Sequence, residues 1–278
     1  MKKQLILLLD MEGASGIFEH NYKAMVHGTK EWRDYGRKCL TSDVLAVCEA
    51  AEEFGIDEIL IYDGHFAGNA ESNLLLSELP ENARLFDTPD RCFFWRRIRG
   101  QAQWNPYGVI TVGQHARYGI ENAYFPHTIQ SPPLKDYTVN GIPIAEIGTA
   151  VLNFCGVKYI ANIGCRASME EALAICDTVT TISVKDKAAG WEPDIDTTHK
   201  IIKSKVIEAL RDKDNKKEIM LKAPYTFSLS VLEGYHFVPP SDITWKGEFT
   251  EEQAVWQAPD IEIGLEIFNY VRNCIKER

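Results

Sequence analysis

The chain opens with a near-continuous apolar run, Gln4 to Asp10, the pattern of a strand covered on both faces. The run stops at a glycine-containing loop, Gly13-Ala14-Ser15-Gly16. From Trp32 to Phe54 the period becomes helical, with Leu40, Val44, Leu45, Val47 and Cys48 on the apolar side and Gly55 as the stop. Asp57 to Asp63 (DEILIYD) is a second buried strand, so the opening reads strand, helix, strand and implies parallel pairing through a right-handed crossover. Gly108 to Gly113 and Lys158 to Gly164 are again short apolar runs ending in glycine, and helical patterns cover Ala145 to Phe154 and Ser168 to Ile175. Tyr137 to Ile144 carries Asn140-Gly141, the dipeptide that favours a tight type I′ turn, and predicts a hairpin projecting from the core.

Beyond that point the alternation is less regular. Thr197 to Leu210 reads as a helix, Arg211 to Glu218 as a solvated charge run, Tyr225 to Leu232 as a strand and Ile261 to Ile275 as a closing helix. The expected fold class is α/β: a mostly parallel central sheet flanked by helices, with a hairpin excursion and a smaller C-terminal lobe. Residues 1–190 form the expected α/β core, and 191–278 a smaller lobe or an extension of the same domain. A length of 278 residues requires no more than this.

Composition excludes several function classes. With 45% apolar and 25% charged residues the chain is a folded globular protein, neither disordered nor fibrous. A formal charge of −10, with basic residues dispersed, argues against a nucleic-acid partner. The exception is Arg91, Arg96, Arg97 and Arg99 among Phe93, Phe94 and Trp95, an amphipathic helix with a basic face or a grip for an anion or another subunit. Seven cysteines without a C-x-x-C pair fit neither a disulfide framework nor a zinc knuckle, which points to a reducing, cytoplasmic setting. Lys2-Lys3 followed by Leu5 to Leu9 imitates a signal peptide, but the apolar run is too short and ends in Asp10 and Glu12. No run reaches the ~18 apolar residues of a membrane span.

Candidate chemistry gathers where buried strands give way to loops: Asp10 with Glu12, Asp63 with His65, His115, and Cys165. In open parallel sheets ligands bind beyond the carboxyl ends of strands, so residues far apart in sequence can converge there. Asp10 and Glu12, one residue apart, point the same way on extended backbone, and two like charges on one side invite a cation. The plainer alternative makes Asp10 a cap and leaves Glu12 exposed. In Asp63-Gly64-His65 the histidine is a candidate ligand and Asp63 either a ligand or the group that orients the imidazole from behind. Gly113-Gln114-His115-Ala116-Arg117 repeats the arrangement, and His127 lies in the loop that follows. Mixed imidazole and carboxylate donors suit zinc, with manganese or cobalt as alternatives.

Four segments in order, LLLDMEGASG, YDGH, GQHAR and AEIGTA, resemble the metal-binding segments of the zinc-dependent D-aminopeptidases of the DppA type. The resemblance runs over roughly the first two-thirds of the chain. It implies two divalent metal ions, zinc in that family, held by Asp10, Glu12, His65, His115 and Glu146 with Asp10 bridging, and His127 as the catalytic residue. It implies hydrolysis of amide bonds in short peptides, with D-amino acids, and a ring-like homo-oligomer. After the strand YIANIG the family's Gly-Asp-Asp is replaced by Gly164-Cys165-Arg166. Loss of the acids and gain of a guanidinium either favour a substrate carboxylate over a free ammonium group, which makes Cys165, Arg166 and Arg117 candidate substrate contacts, or leave Cys165 buried and Arg166 facing solvent. Rival readings are a metallohydrolase of other specificity, such as an L-aminopeptidase, an amidase on peptidoglycan fragments or a phosphoesterase, and a non-catalytic peptide-binding relative.

Overall fold

The computed structural model describes residues 2–65, 71–85, 106–129, 132–145, 147–148, 152, 154–239 and 245–278. The Arg91 to Arg99 stretch and Glu146 lie outside the described residues. In chain order the elements are β1 (Gln4–Leu9), α1 (Arg37–Phe54), β2 (Glu58–Asp63), β3 (Ala83–Leu85), β4 (Pro106–Gln114), β5 (Leu134–Val139), β6 (Ile142–Pro143) and β7 (Tyr159–Cys165). There follow α2 (Met169–Ile175), β8 (Thr180–Lys185), α3 (Ile195–Arg211), β9 (Tyr225–Val231), β10 (Tyr235–Phe237), β11 (Gly247–Phe249), β12 (Gln253–Ala258), α4 (Ile261–Arg272) and β13 (Ile275–Glu277).

Six strands form a central parallel sheet in the order β3-β2-β1-β4-β7-β8. The chain builds outward from β1 through β2 and β3, then returns to the other side of β1 with β4. That reversal of direction leaves a crevice beyond the carboxyl ends of the central strands, where such sheets bind ligands. Every residue of β1 is buried, because its two faces serve two cores. Leu5, Leu7 and Leu9 pack with Val44 and Val47 of α1 and Ile202 and Val206 of α3, whereas Ile6 and Leu8 pack with Val109, Phe154 and Tyr159 on the opposite face.

A second, antiparallel sheet has the order β11-β12-β9-β5-β6. Asn140 and Gly141 take φ of 53° and 78°, as the type I′ turn requires, and join β5 to β6. The hairpin does not stand out alone: β5 pairs with β9, with Val139 opposite Phe227. Tyr137, Phe227, Trp256 and Phe268 of α4 form the centre of this lobe's core. The 1–190 and 191–278 segments interleave in space, since β5 and β6 join the second sheet while α3 packs on α1.

Two boundaries differ from the sequence expectation. Trp32–Gly36 is a wide π turn ahead of α1, which turns the Trp32 ring into the protein. The expected helix over 145–154 lies partly outside the described residues. The closing helix ends at Arg272, because Ile275 to Glu277 pair with Tyr235 to Phe237 and satisfy their backbone as an antiparallel ribbon. Asp194 and Asp260 start α3 and α4 by accepting the backbone N–H of Thr197 at 2.7 Å and Ile263 at 2.8 Å. No described helix is long and apolar enough to cross a membrane.

Ile202 is fully buried between α3 and the sheet. Ile202→Ala is expected to cost about 2–5 kcal/mol through lost burial and the cavity left behind, read from the urea unfolding midpoint.

Candidate metal centre

The central strands end at one level. Leu9 lies opposite Asp63 of β2 and Val112 of β4, so the residues that follow each strand share one edge of the sheet. Backbone contact continues past β1, with Asp10 donating to the Val112 carbonyl at 2.9 Å and Gly13 to the Gly113 carbonyl at 2.8 Å. Only glycine permits this approach. A Cβ on Gly13 would sit 1.9 Å from the Gln114 carbonyl oxygen, and one on Gly113, whose φ is +76°, 2.0 Å from that of Asp10. The motif glycines therefore let the strand ends close on each other.

Four ligand-type side chains emerge there, all buried: Asp10, Glu12, His65 and His115. One oxygen or nitrogen from each of Asp10, Glu12 and His115 lies within 4.8 Å of the others. Nε2 of His115 is 3.3 Å from Oδ2 of Asp10, and Nε2 of His65 is 3.3 Å from Oε1 of Glu12. His127 stacks on His115 with ring centroids 4.0 Å apart and planes 10° from parallel, and its Nε2 is 3.9 Å from the same Glu12 oxygen.

Tautomers follow from the outer contacts. Nδ1 of His115 is 2.8 Å from the Ala116 carbonyl, and Nδ1 of His127 is 2.8 Å from that of Phe125. A carbonyl only accepts, so each Nδ1 carries a proton, and the neutral His115 ring turns its Nε2 lone pair inward. Nε2 of His115 and Oε2 of Glu12 have no hydrogen-bond partner among the described residues. Burial, helped by the charge of His127, pushes His115 down to about 3, so that ring is neutral. Burial pushes the Glu12 carboxyl up, but the charge and hydrogen bond of His65 outweigh it and hold Glu12 well below the usual carboxylate range. His65 moves the opposite way: burial lowers it, and Glu12 raises it beyond its ordinary value. These donors fit a divalent cation, which would satisfy inward lone pairs that face carboxylates across about a hydrogen-bond distance.

The sequence matches the profile of the D-aminopeptidase family over residues 4–236. The chain belongs to that family. It is accordingly a metal-dependent peptidase. Its fold is similar to that of the Zn-dependent D-aminopeptidase DppA from Bacillus subtilis, a self-compartmentalizing protease, with a TM-score of 0.78 and 20% identity over 98% of this chain and 97% of that one. No curated protein matches the sequence.

The remaining candidates are placed differently in the enzyme. Asp63 closes β2 two residues before His65. Its carboxylate accepts from the Asn73 backbone N–H and side-chain amide, both at 2.9 Å, and the same Asn73 amide donates to the His65 carbonyl at 2.6 Å. Asn73 in turn accepts from the Trp32 indole at 2.8 Å. Arg117 donates its backbone N–H to Oε1 of Glu171 at 2.7 Å and turns its guanidinium toward Asp136 of β5, 3.8 Å away. Cys165 is buried with Phe18 and Tyr124, while Arg166 is exposed at the end of β7. Asn73 and Lys185 were not picked out from the sequence. No motif marks Asn73, whereas Lys185, a charge closing an apolar strand, meets the same strand-end criterion that picks out Asp63.

Asn73→Ala is expected to weaken zinc binding about 10–100-fold by releasing the His65 backbone, as measured by competition with a fluorescent chelator. Glu171 supplies a pH signature. Burial raises its carboxyl from 4.5 to about 7. Between those values the folded chain holds a proton that the unfolded chain has released, so this group makes stability fall as pH rises through the window. Glu171→Gln should remove that component, and the difference in urea midpoint between wild type and variant should grow from pH 4.5 to pH 7.

Proposed function

We propose that the enzyme is a dinuclear zinc aminopeptidase that hydrolyses amide bonds of short peptides containing D-amino acids. The observation that carries this reading is the buried apposition of His115 Nε2 and Asp10 Oδ2 at 3.3 Å, in which the ring proton is committed to Ala116 on the far side. Two acceptors held face to face repel unless a cation stands between them. Beside it Glu12 Oε1 and His65 Nε2 lie 3.3 Å apart, a second buried carboxylate-imidazole pair that supports a second ion. Asp10, Glu12, His65, His115 and Glu146 would hold the pair.

Bound there, zinc supplies Lewis acidity toward the scissile carbonyl and lowers the pKa of water. The protein's own part is orientation and proton handling. The stack on His115 and the Nδ1 contact to Phe125 hold the His127 ring with Nε2 facing Glu12 and the site. When protonated, that Nε2 would donate to the leaving amine or to the developing oxyanion, a role that needs no direct nucleophilic attack. Arg166, exposed where the family's pattern is acidic, would pair with a substrate carboxylate, with buried Cys165 shaping the wall behind it and Arg117 contributing from the neighbouring loop. That substitution favours peptides recognised by a carboxylate as well as by the scissile amide. The self-compartmentalizing relative supports a homo-oligomer, and free cysteines fit a cytoplasmic enzyme.

The test pairs metal content with turnover of D- and L-alanine amides before and after chelation. About two metals per chain and chelator-sensitive, D-selective cleavage are expected. No metal and no turnover would overturn the reading, and metal with L-selective turnover would overturn its stereochemical part. His127→Ala should lower kcat by about 100-fold or more while metal content stays at the wild-type value. An unchanged rate would remove His127 from the chemistry.

A further inference from the structure

Lys185 closes β8, and its side chain is fully buried. Burying an ammonium group is costly unless each of its protons finds an acceptor. Here Nζ donates to the carbonyl of Glu12 at 2.7 Å, to that of Ala14 at 2.9 Å and to that of Ile17. All three acceptors lie on one irregular loop, residues 12–17, which is buried along its whole length and carries Glu12. A buried loop without ladder partners needs donors for its carbonyls, and this lysine delivers three from a single atom.

The same ammonium lies 5.6 Å from the ring centre of Phe18 and 5.1 Å from that of Tyr124. Tyr124 belongs to the loop that runs from His115 to His127. One charge thus touches both the segment that orients Glu12 and the segment that presents His127, and neither contact involves a ligand side chain.

We propose that Lys185 is a positioning residue of the metal centre: through the Glu12, Ala14 and Ile17 carbonyls it sets the course of the loop that aims the Glu12 carboxylate, and through Tyr124 it steadies the loop of His127. The inference rests on the metal-centre reading above. A plain anchor for the fold would affect stability alone. A plain charge effect would have the opposite sign, since removing a nearby cation strengthens binding of a metal ion.

The test uses full-length chain stripped of metal and titrated with Zn2+ against a fluorescent chelator, with the Co2+ absorption spectrum recorded in parallel. Lys185→Met is expected to weaken zinc binding about 10–100-fold and to alter the Co2+ spectrum. Lys185→Arg keeps the charge but cannot reproduce the three carbonyl bonds of a compact ammonium, and should show a smaller loss of the same kind. Ile202→Ala, destabilised in the apolar core without loss of any hydrogen bond at the site, should retain wild-type affinity and spectrum. If Lys185→Met does not accumulate folded, Lys185→Arg carries the test. Wild-type or tighter zinc binding by the lysine variants overturns the proposal, as does an equal loss in Ile202→Ala. Absence of zinc binding by the wild-type chain overturns the metal-centre reading and this one with it, so the two failures are seen in different arms.

Discussion

A neutral imidazole nitrogen and a carboxylate oxygen held together away from water repel each other, and the arrangement of this protein's strand ends depends on what relieves that repulsion. At the centre of the sheet His115 Nε2 meets Asp10 Oδ2 while the ring's proton is engaged by Ala116. A proton between them would serve only weakly, because burial and the neighbouring His127 keep His115 neutral. Divalent cations answer the demand better, and the D-aminopeptidase family to which the chain belongs is a family of metal-dependent peptidases. Beside it, Glu12 and His65 shift in opposite directions, as partners in an ion pair do.

Such a cluster needs rigid surroundings, since self-repelling groups spread apart if the backbone yields. Rigidity here comes from backbone contacts rather than from the ligands' own side chains. Glycines at Gly13 and Gly113 allow the β1 and β4 ends to touch. Asn73 ties the His65 backbone to Asp63 and Trp32 with every hydrogen-bonding group of its amide engaged. Lys185 gathers the carbonyls of the Glu12 loop. Each support reaches the centre from a different part of the chain.

The antiparallel lobe meets this centre beside the stretch that follows His115. Arg117, two positions past His115, is held by Glu171 of α2 through its backbone and leans toward Asp136 on β5 through its side chain. The aromatic core of Tyr137, Phe227, Trp256 and Phe268 makes β5 a stable wall for that contact.

Much of this was legible in the sequence for a physical reason: strands buried on both faces must be continuously apolar, so β1, β2, β4 and β7 declared themselves, and a polar residue at their ends had to be there for a purpose. The Asn140-Gly141 turn was legible because only a few dipeptides take positive φ twice. Strand order was not, since parallel pairing leaves no mark on the pattern of a fully buried strand. Only the tertiary structure decided that β1 lies between β2 and β4, that Asn73 stands behind His65 and that Lys185, far along the chain, reaches the Glu12 loop. Apolar periodicity is a local property that sequence carries directly, whereas the partner of a buried polar group is chosen by which distant segments the packed sheet brings within hydrogen-bond reach.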